Sequence, residues 1–181
     1  IPAGTWNVVV GKAKIVETPA SYAVRVTLRT QATLAPQSAR TPYLPAPALE
    51  TGWRWYAGDL HVHSRESGDA SPSIDAVATE AAARGLDFVV LSDHNTTAQD
   101  DFVVDAQSRA PGVLLVPGRE FTTYDGHAGI FGETGWLDHR IGSTADSVEG
   151  ALDVAHAAGA FVTVNHPTLD LGDLCVGCAW D

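Results

Sequence analysis

A chain of 181 residues, 45% hydrophobic and 18% charged, can bury a core of ordinary globular size, and no apolar run in it approaches the roughly 20 residues that span a bilayer. Its formal charge of −11 argues against a broad basic face for nucleic acid, because neutralising several phosphates takes clustered Lys and Arg. A small anionic substrate stays open, since bound divalent ions would offset carboxylates locally. With no methionine in the chain, Ile1 is not an initiator, and no targeting segment is legible.

Residues 1–31 read as the end of an all-β module. Trp6 to Val10 is β-prone, and Tyr22, Val24, Val26 and Leu28 alternate with small or polar residues, the pattern of a strand with one solvated face. Residues 32–52 carry Pro36, Pro42, Pro45 and Pro47 among Ala, Ser and Thr and read as a linker. From Trp53 to Asp181 the pattern is α/β. His61-Val62-His63 closes a short apolar stretch, and alternate residues of a strand share a face about 6.5 to 7 Å apart, close enough for two imidazoles to converge on one cation. Ser73 is placed to cap a helix running to Arg84, with Ile74, Val77, Ala78 and Ala81 on one face and Gly85 as its stop.

The apolar run Phe88 to Leu91 precedes Ser92-Asp93-His94-Asn95, and a second helix is expected from about Ala98 to Ser108. The run Val113 to Val116 precedes Gly118-Arg119-Glu120, with His127 seven residues on from Glu120. A third helix, from about Ala145 to Ala158, would bury Val148, Ala151, Leu152 and Ala155 and end at Gly159. The run Phe161 to Val164 then precedes Asn165-His166-Pro167. Runs of this kind alternating with helices predict βαβ units and a parallel sheet, whose functional groups gather at the carboxyl ends of the strands. Four strand ends therefore deliver four histidines and a glutamate toward one rim.

Some residues have a plain structural reading beside the functional one. His127 and Asp69 could each flank a turn, Asp59 could cap one, and His139 and His156 read as structural or solvated. Arg65 and Arg119 are the basic residues nearest the motifs, suited to pairing with a carboxylate or steering an anionic substrate. Cys175 and Cys178 form a C-x-x-C without a second pair or a following helix, which leaves a local disulfide or two reduced thiols.

The segments Gly58 to Ser64, Ser92 to Asn95, Gly118 to Glu120 and Asn165 to Pro167 resemble the successive motifs of the PHP family, named for polymerase and histidinol phosphatase. Trp53-Arg54-Trp55-Tyr56 and the upstream β module look most like its carbaryl-hydrolase branch, the CehA/McbA type. The resemblance implies a distorted (β/α)7 barrel holding two or three divalent ions, zinc, manganese or iron. Carried over by position, it implies that His61 and His63 bind the first ion, and that Glu120 bridges the first and second. His166 and His127 would complete the second, and Asp69 with His94 match the positions for a third. The family adds an Asp and a His from a late Ser-Asp-x-His segment, which this sequence lacks. A closed barrel takes about 200 residues or more, so the domain is expected to continue beyond Asp181.

Imidazole and carboxylate suit those metals, and a carboxylate spans two cations with its two oxygens. Two ions about 3.5 to 4 Å apart would hold a hydroxide as nucleophile and polarise a phosphoryl or carbonyl oxygen. Asp59 and Asp93 are expected to orient nearby ligands. The expected activity is hydrolysis of phosphomonoesters or phosphodiesters of a small molecule, with carbamate or aryl ester hydrolysis next. An amidohydrolase would bridge with a carbamylated lysine, but no lysine follows Lys14. A non-catalytic metal-binding module is the reading of another class, disfavoured because structural zinc prefers a closed, often cysteine-rich shell.

Overall fold

The computed structural model describes residues 4–8, 10, 15–31, 33, 39–50, 52–141 and 147–168. Among them the order of elements is β1 (Gly58–Val62), α1 (Ile74–Ala83), β2 (Phe88–Leu91), α2 (Asp100–Arg109), β3 (Leu114–Thr122), β4 (His127–Phe131), α3 (Val148–Ala157) and β5 (Phe161–Val164). The strands lie side by side in chain order. β1, β2 and β3 run parallel, as the βαβ pattern requires, whereas β4 is antiparallel to both β3 and β5.

That antiparallel strand corrects the expectation of an all-parallel sheet. β3 does not stop before Gly118-Arg119-Glu120 but runs through it. Pro117 has no N–H to donate, and it is where the ladder with β2 ends, opposite Leu91. From Gly118 to Thr122 the same strand pairs with β4. Gly118 permits the change of partner: a Cβ there would sit 2.6 Å from Val90 Cγ1 and 2.9 Å from the carbonyl oxygen of Ile130. β4 is buried along its whole length, so it lacks the alternation that marks a half-exposed strand.

The sheet is strongly curled. Its outermost strands are β1 and β5, which in a flat sheet would lie about 19 Å apart, four spacings of ~4.8 Å. Yet the rings of His61, on β1, and His166, two residues past β5, have centroids 5.6 Å apart. The sheet therefore bends into an open half-barrel with these side chains on its concave face. On the convex side, Val89, Leu91 and Leu115 pack with Ile74, Val77, Ala78 and Ala81 of α1 and with Phe102, Val103 and Ala106 of α2. Phe121, Ala128 and Ile130 pack with Ala155 of α3 in a second core.

The helices start where serine caps them. Ser73 Oγ accepts from Ala76 N at 3.2 Å, Ser147 Oγ accepts from Gly150 N at 3.0 Å, and each satisfies an N–H without an intrahelical partner. The four apolar residues expected to face inward from α1 do so. In α3 only Ala155 is fully buried, while Ala151 and Leu152 pack partly buried against the second core. Gly85 and Gly159 follow α1 and α3 with φ of +72° and +88°, the left-handed turn that ends a helix.

The segment 1–31 departs from expectation. Its described residues form no strand and are exposed, Tyr22, Val24, Val26 and Leu28 among them. An alternating strand needs a neighbour to receive its apolar face, and none lies against it among the described residues. The proline-rich stretch is held to the domain instead of hanging free: Thr41 N donates to the carbonyl of Asp101 at 2.8 Å, Arg40 pairs with Asp101 at 2.9 Å, and Tyr43 packs against the first core. Cys175 and Cys178 lie outside the described residues. No described helix is long and apolar enough to cross a membrane.

Candidate metal centre

Five histidines crowd one buried carboxylate on the concave face. Strand period two puts His61 and His63 on the same side of β1, and their rings stack at 5.1 Å. His94 arrives from the turn after β2, where an isolated bridge pairs it with Glu120. His127 opens β4 and His166 follows β5. Neighbouring rings round the cluster are 4.6 Å apart for His63 and His94, 5.6 Å for His94 and His127, and 4.9 Å for His127 and His166. Asn95 and His166 are the non-glycine residues with left-handed φ among those described, at +48° and +27°. Such conformations are held by surrounding structure and concentrate at functional sites.

Glu120, 1% exposed, divides these groups between its two oxygens. Oε2 lies 3.2 Å from His61 Nε2, His63 Nε2 and His94 Nδ1. Oε1 lies 2.8 Å from His166 Nε2 and 3.1 Å from His127 Nδ1, and it accepts from Asn165 Nδ2 at 3.0 Å. Burial pushes the Glu120 carboxyl up, but hydrogen bonds from His127, His61, His63 and Asn165 override it and hold the group far below the usual carboxylate range. The hydrogen bond to Glu120 raises the His63 pKa against the opposing pull of burial. His94 is lowered, chiefly by burial, in spite of Glu120.

Three overlapping sets of donors could each hold an ion: His61, His63 and Glu120; His63, Asp69 and His94; and His94, Glu120 and His127. A neutral imidazole has one lone pair, so His63 and His94 can each serve only one of the sets they share. Borderline nitrogen donors around a carboxylate fit zinc, manganese or iron. His166 Nδ1 is buried with no hydrogen-bond partner, so its Nε2 near Glu120 carries the ring's one polar contact.

The structure brings His61, His63, Asp69, His94, Glu120, His127 and His166, the candidate ligands singled out from sequence, into one cluster. Asp69 lies 3.4 Å from both His63 Nδ1 and His94 Nε2. Of the two roles open to Arg119, pairing with a carboxylate is the one present, with Glu133 at 3.3 Å. Arg119 points to the convex side, because neighbours on a strand face opposite ways; it is 2% exposed and donates to the carbonyls of Glu133 and Gly135, out of reach of a substrate at the histidines. Asp93 is fully buried and takes both its oxygens to Ser64, accepting from the backbone N and from Oγ at 2.5 Å. It pins the turn after His63 to the end of β2. Burial raises its pKa, against the bonds from Ser64. Asp59 accepts from His61 N at 3.0 Å, a local contact within β1.

His139 stands against Trp136 and His156 lies on α3, both apart from the cluster. Three participants had no signal of their own in the sequence. Asn165 was visible only as the neighbour of His166. Ser67 and Thr122 are small hydroxyl residues in a turn and a strand, and contact with His63 and His94 singles them out only in three dimensions.

No protein-family model matches the chain. A phosphoribosyl 1,2-cyclic phosphate 1,2-diphosphodiesterase from Eggerthella lenta is 33% identical to it over 108 residues, 60% of this chain and 37% of that protein. The chain thus spans well under half the length of this curated relative. A solved structure of a candidate metal-dependent phosphoesterase from Bifidobacterium adolescentis aligns at 27% identity with a TM-score of 0.36, over 41% of this chain and 27% of that one. This chain is similar to proteins named as phosphoesterases, and it carries histidine and carboxylate clusters able to hold metal.

Proposed function

We propose that this chain forms the ion-binding part of a metal-dependent hydrolase that cleaves phosphodiesters or phosphomonoesters of a small molecule. The observation that carries this reading is Glu120, a carboxylate buried among five imidazoles with each oxygen facing its own set. Such a group is poorly placed as a general base, since so many hydrogen-bond partners hold it ionised, but well placed to bridge two cations. Divalent ions bound there would activate water and neutralise charge on a phosphoryl oxygen. The residues of the chain do the rest. Asn165 fixes one Glu120 oxygen, Asp93 holds the turn that carries His63, and Asp69 faces two imidazoles from the rim. The name of the Eggerthella lenta relative, a cyclic phosphate diesterase, supports phosphoester chemistry.

The carbaryl-hydrolase resemblance, which rests on Trp53 to Tyr56, keeps a carbamate as the discriminating second substrate. The test is elemental analysis of protein purified without chelator, followed by hydrolysis of bis-p-nitrophenyl phosphate, p-nitrophenyl phosphate and an aryl carbamate. Two or three ions per chain are expected, with phosphoester turnover falling at least about 100-fold in Glu120→Gln, the scale of several kcal/mol of lost transition-state stabilisation. Less than one ion per chain after zinc, manganese and iron are offered back would overturn the proposal. Carbamate turnover alone would move it to the second substrate.

A further inference from the structure

A carboxylate can meet divalent ions in two ways: both oxygens chelate one ion, or each oxygen takes its own. We propose that Asn165, oriented by the Thr163 hydroxyl, pins Glu120 Oε1 and so commits Glu120 to the bridge. The inference rests on the reading of this cluster as a metal centre and adds to it two positioning residues.

The arrangement follows from the register of the sheet. Glu120 on β3 stands opposite Gly129 on β4, and Gly129 stands opposite Thr163 on β5. Residues directly opposite each other share a face, so Glu120 and Thr163 flank a position that carries no side chain. A Cβ at 129 would lie 2.6 Å from Thr163 Oγ1 and press on that hydroxyl. Asn165, two residues beyond Thr163 and 8% exposed, spans the pair. Its backbone N donates to the carbonyl of His127 at 2.9 Å, its Nδ2 donates to Glu120 Oε1 at 3.0 Å, and its Oδ1 accepts from Thr163 Oγ1 at 3.1 Å. One residue thus ties β3, β4 and β5 together beside the histidines.

The chemistry of the partners settles which way the amide faces. An ionised carboxylate only accepts, so the amide must turn its NH2 to Glu120, and its oxygen then meets Thr163, whose hydroxyl can donate. The opposite orientation would set two acceptors against each other at Oε1. An imidazole can give up its proton and take an ion, but an amide NH2 stays a donor. The two oxygens of Glu120 therefore differ. Oε2 faces His61, His63 and His94, each able to ligate. Oε1 faces His127 and His166 together with a donor that remains in place. An oxygen with two lone pairs, one of them held by Asn165, has one left for a cation. Glu120 cannot swing both oxygens onto one ion among His61, His63 and His94 without breaking its bond to Asn165.

The test loads metal-free protein with manganese and reads it by electron paramagnetic resonance, in which bridged ions give an exchange-coupled spectrum and separate ions the hyperfine pattern of isolated manganese. The wild type should give the coupled spectrum and Asn165→Ala should lose it. Calorimetric titration of Asn165→Ala should show about 10- to 100-fold weaker binding of the ion that His127→Gln also loses, the usual cost of removing a partner that orients a ligand. The ion that His61→Gln loses should keep its affinity. Thr163→Val, which keeps the shape and removes the donor, should weaken the same ion by less, and Thr163→Ser should restore it. In a Glu120→Gln background Asn165→Ala should cost nothing further, because it acts through Glu120. A coupled spectrum that survives in Asn165→Ala, equal weakening of both ions, or an effect of Thr163→Val that is absent or that Ser fails to rescue would each overturn the proposal. So would isolated manganese in the wild type. Wild-type protein that binds no manganese would overturn the metal-centre reading itself, and the role of Asn165 with it.

Discussion

Arg119 and Glu120 are adjacent on one strand, oppositely charged and almost wholly buried, at 2% and 1% exposure, yet they sit in unlike surroundings. Glu120 faces five imidazoles whose nitrogens can carry a proton or bind a cation. Arg119 faces the backbone carbonyls of Glu133 and Gly135 and the Glu133 carboxylate, 3.3 Å away. One face of β3 is built to exchange partners. The other is built to hold the loop after β4 in place. A buried charge alone therefore does not mark a functional group; what marks it is whether its neighbours can be replaced by an ion.

The largest effect expected from breaking this comparison is on the convex side. Arg119→Met strands the Glu133 carboxylate and two carbonyls, and removing one member of a buried ionic group typically costs about 3 kcal/mol or more. Urea unfolding should report that loss, while the folded variant keeps its full complement of ions. A parallel fall in metal content would show that the two faces are coupled. On the concave side, Glu120→Gln leaves a single acceptor oxygen where two served. Zinc or manganese at about 100 times its Kd should stabilise the wild type by about 2.7 kcal/mol, seen as a higher Tm, and the variant by much less. Equal stabilisation of both proteins would remove Glu120 from the site.

The difference between the two faces was only partly legible in the sequence. His61 and His63 could be read together because strand alternation is local, and Ser73 with Gly85 fixed the ends of α1 for the same reason. The sequence left Arg119 open between pairing with a carboxylate and steering a substrate, because Gly118-Arg119-Glu120 looks like the end of a strand, where side chains splay toward a rim. Within a strand the same alternation that pairs His61 with His63 separates Arg119 from Glu120. β4 escaped notice because Ala128 to Phe131 is buried on both faces and shows no period of two. The approach of His166 to His61 was not readable from any segment, since it depends on the curl of the whole sheet. The alternation of Tyr22 to Leu28 pairs with no strand among the described residues, and such a pattern is realised only where a partner strand exists.

Asp100, in the first turn of α2, sharpens the comparison from its other side. Both its oxygens are buried without a hydrogen-bond partner, and burial pushes its pKa up to about 7, only partly opposed by Arg119 and reinforced by Asp101, Glu133 and Asp93. The folded pKa thus lies above the ordinary value of 3.8, so the folded state holds this proton more tightly than the unfolded one. Below about pH 4 both states are protonated and no penalty exists. Between pH 4 and 7 the unfolded chain gives up the proton first, so stability declines with rising pH, and above about 7 the full penalty is present. The shift alone would cap the penalty at about 4 kcal/mol, and the favourable field at a helix N-terminus, worth about 0.3 to 1 kcal/mol, works against it. Asp100→Asn should therefore unfold at the same urea concentration as the wild type near pH 4 and at a clearly higher one at pH 8, with histidine effects common to both proteins cancelling in the difference. Curves that run parallel across that range would mean that Asp100 is solvated in the folded state, unlike the buried charges on either face of β3.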